Sequence, residues 1–128
     1  MLGQIQAHGE CVLSLSSAGP VIASGALDGD VGLWSLSDGS KIAYVNKAHT
    51  QGTNEVVLMG DTLLRTSGDD RCVKFWDLRN LTQPVHLVSG FTDGVNRTTI
   101  DHEGRLIAGC DDGQVYVYNL TATVSGCL

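Results

Sequence analysis

The sequence predicts an all-β chain, and three observations carry that reading. The segments ASGALDGDVGLWSL, RTSGDDRCVKFWDL and IAGCDDGQVYVYNL superpose without a gap, so Asp28, Asp70 and Asp112 recur every 42 residues, as do Val31, Val73 and Val115. Each copy joins a short apolar run to a β-branched or aromatic run through Asp-Gly or Asp-Arg, which is a hairpin pattern. Glycine is 16 of 128 residues and proline 2, and no stretch holds an apolar face at i, i+3, i+4 over a helical length.

Taken in order, the expected strands begin with Leu2 to Ala7, then Val21 to Ala23 and Val31 to Leu36. Lys41 to Val45, Glu55 to Leu58, Leu63 to Leu64 and Cys72 to Leu78 follow. Val85 to Val88, Val95 to Ile100, Leu106 to Ala108 and Gln114 to Tyr118 complete the pattern, with a ragged last partner in Thr121 to Cys127. The repeating units run over about 2–36, 43–78 and 85–120, which fills the chain and makes residues 1–128 a single region.

Composition excludes several classes. Eight basic against fourteen acidic residues give a net charge of −6, the wrong sign for a nucleic-acid binder. No apolar run approaches the ~18 residues of a membrane span. The beginning MLGQIQAHGE lacks the basic and apolar regions of a secretory signal, so the expected compartment is intracellular, cytoplasm or nucleus. The sequons at Asn80, Asn96 and Asn119 then read as chance. Cys11, Cys72, Cys110 and Cys127 form no C-x-x-C pair and are expected as free thiols. Asp28-Gly-Asp30 and Asp69-Asp70 do not fit a calcium loop. His86 and His102 have no ligand neighbours at useful spacing and read as surface or strand residues. Neither metal nor cofactor is expected.

Four short strands per 42 residues, with Trp76-Asp77 closing the middle unit, resemble the WD-repeat β-propeller family, and the resemblance covers Gln6 to Leu120. It implies blades of four antiparallel strands, here three of them in an incomplete ring. It also implies a hydrogen-bonded tetrad in each blade, with a carboxylate accepting from one imidazole N–H and the other imidazole nitrogen accepting from a hydroxyl. The indole N–H donates to that hydroxyl oxygen. By position the first tetrad is His8, Ser24, Asp28 and Trp34, and the second is His49, Thr66, Asp70 and Trp76. In the third unit the same places hold Phe91, Ala108, Asp112 and Tyr118. That unit is therefore expected to be held by packing and to be the weakest.

The resemblance further places partner contacts on the rim loops, at Leu13, Leu27, Asn54, Asp69, Asn96 and Asp111. These describe a mouth with two carboxylates that suits basic or amide-rich peptides of other proteins. Trp76-Asp77-Leu78-Arg79 is similar to the box by which propeller substrate receptors dock the adaptor of a cullin-4 RING ubiquitin ligase, with Arg79 on the opposite rim. The expected function is a non-enzymatic interaction scaffold, with adaptor docking as the alternative. From another class, Ser24, His8 and Asp28 could be read as a hydrolytic triad, but the motif recurs at the period of the fold, as a structural pin does and a catalytic site seldom does. Closed propellers need about four to eight blades. Three blades imply a fragment or short form of a larger propeller, a homodimer closing a six-bladed ring, or an open wedge docked on another protein.

Overall fold

In a computed structural model, residues 1–120 are described, and every element among them is a strand. The first sheet orders β1 (Val12–Ala18), β2 (Val21–Ala26), β3 (Val31–Ser35) and β4 (Lys41–Val45). The second orders β5 (Thr53–Met59), β6 (Leu63–Gly68), β7 (Cys72–Asp77) and β8 (His86–Val88). The third holds β9 (Val95–Ile100), β10 (Arg105–Cys110) and β11 (Val115–Asn119). All neighbours are antiparallel and follow chain order, so each sheet is a meander.

Sheets and sequence units are offset by one strand. The unit over 43–78 begins within β4, which belongs to the first sheet, and the unit over 85–120 begins just before β8, which belongs to the second. The expected partner strand over Thr121 to Cys127 lies outside the described residues.

Two expectations are corrected. Leu2 to Ala7 forms no strand. Ile5 instead lies against the Gly39 turn and the Gln6 amide donates to the His8 carbonyl, which carries His8 inward toward β2. The innermost strand β1, whose start the resemblance places at Leu13 but which the apolar pattern does not mark, reads Val-Leu-Ser-Leu-Ser-Ser-Ala. Its serines replace apolar residues on the face that meets the second sheet. There Ser14 Oγ accepts from the Val56 amide at 3.1 Å and Ser16 Oγ from the Leu58 amide at 2.9 Å. A polar contact stands where a hydrophobic pattern search expects an apolar one.

The core lies between sheets. Ala23, Val31 and Leu33 of the first sheet pack on Val56, Leu64 and Trp76 of the second. Val73 and Phe75 of the second pack on Val95, Leu106 and Ala108 of the third, with Phe91. This second interface also buries a polar bridge. Glu55 Oε1 accepts from the Thr98 amide and hydroxyl at 2.9 and 2.6 Å, and Arg65 Nε donates to the same hydroxyl at 2.7 Å. Burial lowers the Arg65 pKa, and the nearby Glu55 charge partly offsets that.

The hairpin turns meet at one end of the three sheets. Gly29 holds φ at +93°, and a Cβ there would fall 2.1 Å from the His49 carbonyl oxygen, so the β2–β3 turn presses directly on the loop that carries His49.

Candidate functional site

The second sheet assembles a complete relay. His49 is fully buried and its Nδ1–H donates to Asp70 Oδ1 at 2.8 Å. The other nitrogen, Nε2, then accepts from the Thr66 hydroxyl at 2.8 Å, and Trp76 Nε1 donates to that oxygen at 2.9 Å. Asp70 Oδ2 also accepts from the Thr50 amide at 3.1 Å. Burial alone would raise the Asp70 pKa, but the hydrogen bond and charge of His49, with the Thr50 amide and Lys74, hold it below the ordinary carboxylate value.

The first sheet corrects the expected tetrad. His8 Nε2 and Trp34 Nε1 meet Ser24 Oγ at 2.7 and 2.9 Å, but Asp28 does not meet His8. The Tyr44 hydroxyl, 3.0 Å from His8 Nδ1, donates to Asp30 Oδ2 at 2.8 Å, so the carboxylate end of the relay is Asp30, reached through a phenol. Asp28 Oδ1 accepts from the Asp30 amide within the turn. The cause is steric. Tyr44 sits opposite Gly32, whose missing side chain leaves room for the Trp34 indole, and the phenol ring fits beside indole and imidazole at 6.3 and 5.4 Å. A glycine inside β3, facing a tyrosine and following a second aspartate, was the available signal. The hydrolytic arrangement is corrected by the same geometry: Ser24 is buried under Trp34, and Asp28 is not the orienting partner of His8.

In the third sheet Phe91 stacks on Tyr116 at 5.4 Å and meets Tyr118 edge-on at 5.1 Å, while Ala108 is fully buried. Asp112 finds the backbone donor expected in its turn and two hydroxyl partners, Thr92 and Tyr116, that the sequence did not suggest. Its Oδ2 accepts from the Thr92 and Tyr116 hydroxyls, and Oδ1 accepts from the Gln114 amide at 3.0 Å.

The six mouth positions lie in a row. Leu27, Asp69 and Asp111 each donate a backbone N–H at 2.9 Å, to the carbonyls of Cys11, Gly52 and Gly94 respectively. A Cβ on Gly52 would meet Leu27, Asp69 and Leu13, and one on Gly94 would meet Asp69 and Asp111, so two glycines let neighbouring rim positions touch. Asn54 donates to Asp69 Oδ1 at 2.7 Å and Asn96 to Asp111 Oδ1 at 2.6 Å. Leu13 and Leu27 form an exposed apolar margin. A recess of about 450 Å³ opens beside Asp69, Asp70, Asp93 and Asp111, with Arg71 the cation on its wall.

At the far end of β7, Arg79 grips Asp77 with two bonds, Nε to Oδ1 at 2.9 Å and Nη2 to Oδ2 at 2.8 Å. The Arg79 hydrogen bonds draw the Asp77 pKa down to about 2. The Arg79 side chain is 77% exposed. Of the two histidines read as surface or strand residues, His86 is buried against Phe75 and His102 is exposed. Among the described residues no group of three or more His, Cys, Asp or Glu is placed to hold a metal ion.

Meandering sheets stacked face to face, with the second sheet's relay set against the first sheet and turns gathered at a mouth, define an open β-propeller segment. The family model described as "WD domain, G-beta repeat" matches residues 1–35 and 82–119. The chain belongs to the WD40-repeat family. It is 36% identical over 124 residues to the ribosome biogenesis protein WDR12 homolog of Chlamydomonas reinhardtii, a match spanning 84% of this chain and 27% of that protein. It is 34% identical over 80 residues to WD repeat-containing protein 70 of Xenopus laevis, spanning 59% and 13%. It is 27% identical over 117 residues to DDB1- and CUL4-associated factor 10 of Mus musculus, spanning 90% and 21%. The chain thus spans about a quarter or less of these relatives. Among solved structures, the computationally designed Ika8 protein superposes with a TM-score of 0.77 at 18% identity, covering 91% of this chain and 35% of that one.

Proposed function

We propose that this chain is a non-enzymatic protein-interaction platform whose mouth takes basic or amide-rich peptides. The observation that carries the reading is the paired arrangement of Asp69 with Asn54 and Asp111 with Asn96. Each asparagine occupies one carboxylate oxygen and fixes the orientation of the other. Four aspartates face one arginine around the recess, so its field favours a cationic segment. Leu13 and Leu27 offer an apolar margin to the same peptide.

The test is fluorescence polarisation with labelled Lys/Arg-rich, Gln/Asn-rich and Glu-rich peptides. Basic or amide-rich peptides are expected to bind, with the basic ones weakening as salt rises, and the double variant Asp69→Lys/Asp111→Lys is expected to abolish binding. Binding that survives the double variant, or a preference for the acidic peptide, overturns the reading.

A second reading assigns the opposite rim to a cullin-4 ligase adaptor. It is supported by the exposed Arg79 fork held by Asp77 and by the likeness to a DDB1- and CUL4-associated factor. Co-precipitation of the adaptor by the wild-type chain and its loss in Arg79→Ala would establish it, and no co-precipitation in either form would dismiss it. We assign the platform to the cytoplasm or nucleus, supported by the free thiols of Cys11, Cys72 and Cys110. We read the three blades as a part or short form of a larger propeller architecture, supported by the small share of each relative that the chain spans. As the alternative to a larger single-chain propeller, the partner proposed for the open ends of this arc is a second copy of the chain.

A further inference from the structure

The 42-residue repeat supplies an internal ruler for burial. Val31, Val73 and Val115 occupy the same place, each on the strand beside the central one and opposite Gly25, Ser67 and Gly109. Two residues on, Leu33, Phe75 and Val117 also correspond. In the first sheet this pair is 2% and 4% exposed, in the second 0% and 2%, because the next sheet lies on top. In the third sheet Val115 and Val117 are 69% and 59% exposed.

The ruler also identifies what covers that face. Leu15 stands opposite Ser24 as Val56 stands opposite Thr66, and as Thr98 stands opposite Ala108. Val56 and Thr98 are buried on the preceding sheet, whereas Leu15 is 66% exposed, and Ile42 is exposed two residues from Tyr44 on β4. Among the described residues, the first and third sheets therefore expose the two halves of the interface that is made twice internally. Resting on the two-copy reading, we propose that the Leu15 face of a second copy seats on the Val115–Val117 face of the first, and reciprocally. A heterologous contact that closes on itself in this way gives a two-fold ring of six blades, and the mouth becomes a complete ring.

One position in the proposed interface is imperfect, which makes it diagnostic. Ser14 and Glu55 stand opposite Gly25 and Ser67, and each hands an acceptor to a backbone amide of the next sheet, those of Val56 and Thr98. The residue in that place on the third sheet is Arg97, exposed and opposite Gly109. An arginine only donates, so the amide it would meet, that of Leu15, is left without its acceptor. Arg97→Ser restores the group that Ser14 supplies and should tighten the dimer about 25-fold, the worth of one neutral hydrogen bond at each of the ring's two interfaces.

The experiment is sedimentation velocity of the full chain over a concentration series, with circular dichroism as a control on folding. A species of twice 13.5 kDa is expected. Val117→Asp and Leu15→Asp, both at exposed positions, should each give a folded monomer, and Arg97→Ser should shift the dissociation to lower concentration. A wild-type monomer at every concentration overturns both the interface and the two-copy reading. A dimer that survives both aspartate variants overturns this interface alone, and open-ended oligomers overturn the closed ring.

Discussion

The Tyr44 hydroxyl donates to Asp30 Oδ2 at 2.8 Å, taking up in the first blade the role that a direct histidine–carboxylate contact plays in the second. Tyr44→Phe leaves His8 Nδ1 and Asp30 without their shared partner, and is expected to cost about 1–3 kcal/mol in urea unfolding. Asp28→Ala removes only a turn acceptor and should cost less than about 1 kcal/mol. Burial, with Asp30 adding to it, pushes the Tyr44 pKa above its ordinary value. The stability this gives is fully present below about pH 10 and declines as pH rises beyond it, a decline that Tyr44→Phe should remove. A larger loss from Asp28→Ala than from Tyr44→Phe would contradict this assignment.

Asp70 sets the acid limit of the second blade. Its pKa is lowered in the fold because the His49 bond and charge, the Thr50 amide and Lys74 outweigh its burial. A depressed carboxylate contributes stability above its unfolded pKa near 4 and loses it as pH falls through the lower folded value. Asp70→Asn keeps an acceptor for His49 and removes the titration. Its stability profile between pH 5 and about 2 should be flatter than the wild type's, as read by denaturant midpoints at each pH. Parallel profiles would show that Asp70 does not carry the acid transition.

Much of this was legible because periodicity and turn chemistry are local. The recurring Asp before each hairpin and the alternating run from Val73 to Trp76 follow from spacing, and the His49, Thr66, Asp70, Trp76 set follows from the resemblance to WD-repeat propellers. What was not legible depends on which face a side chain meets. β1 was hidden from the apolar pattern because Ser14 and Ser16 serve as interface acceptors rather than surface residues. The Asp28-to-Asp30 exchange needed the pairing of Tyr44 with Gly32, a relation between strands that counting within one unit does not reveal. Thr92 and Tyr116 reached Asp112 for the same reason, from a preceding loop and a neighbouring position on β11.

Gly68, at the end of β6, and Gly60, in the turn after β5, should respond differently to alanine. At Gly68 a Cβ would lie 2.6 Å from His49 Nδ1 and 2.9 Å from the Gly52 carbonyl oxygen, so the buried imidazole cannot keep its place. Gly68→Ala is expected to cost about 2–3 kcal/mol through this overpacking and the disturbed relay. At Gly60 φ is +72° with no atom within 4 Å of a Cβ, so Gly60→Ala meets backbone strain alone, about 1–2 kcal/mol. Thermal unfolding of the two variants, with the His49 imidazole proton followed by NMR, separates the mechanisms. Only Gly68→Ala should shift that resonance.

The third blade should open first. Its place for histidine holds Phe91 and its place for the hydroxyl holds Ala108, so no buried relay ties loop to strand. The aromatic contacts of Phe91 with Tyr116 and Tyr118 stand in for it, and the Asp112 bonds with Thr92 and Tyr116 are exposed to competing water. The buried polar joint to the second blade is the Glu55–Thr98–Arg65 bridge, which acts on β9, while β11 pairs with β10 and meets Phe91 through Tyr116 and Tyr118. Native-state hydrogen exchange should therefore show β10 amides exchanging through openings about 1–3 kcal/mol cheaper than those of β6, the worth of the missing relay bonds. The measurement belongs in Val117→Asp, where association cannot protect the outer face. Arg65→Met should lower the protection of β9 and bring it toward that of β10, because Thr98 loses a donor while Glu55 retains its own bonds. Equal protection of β6 and β10 would mean that aromatic packing at Phe91 replaces the histidine relay in full.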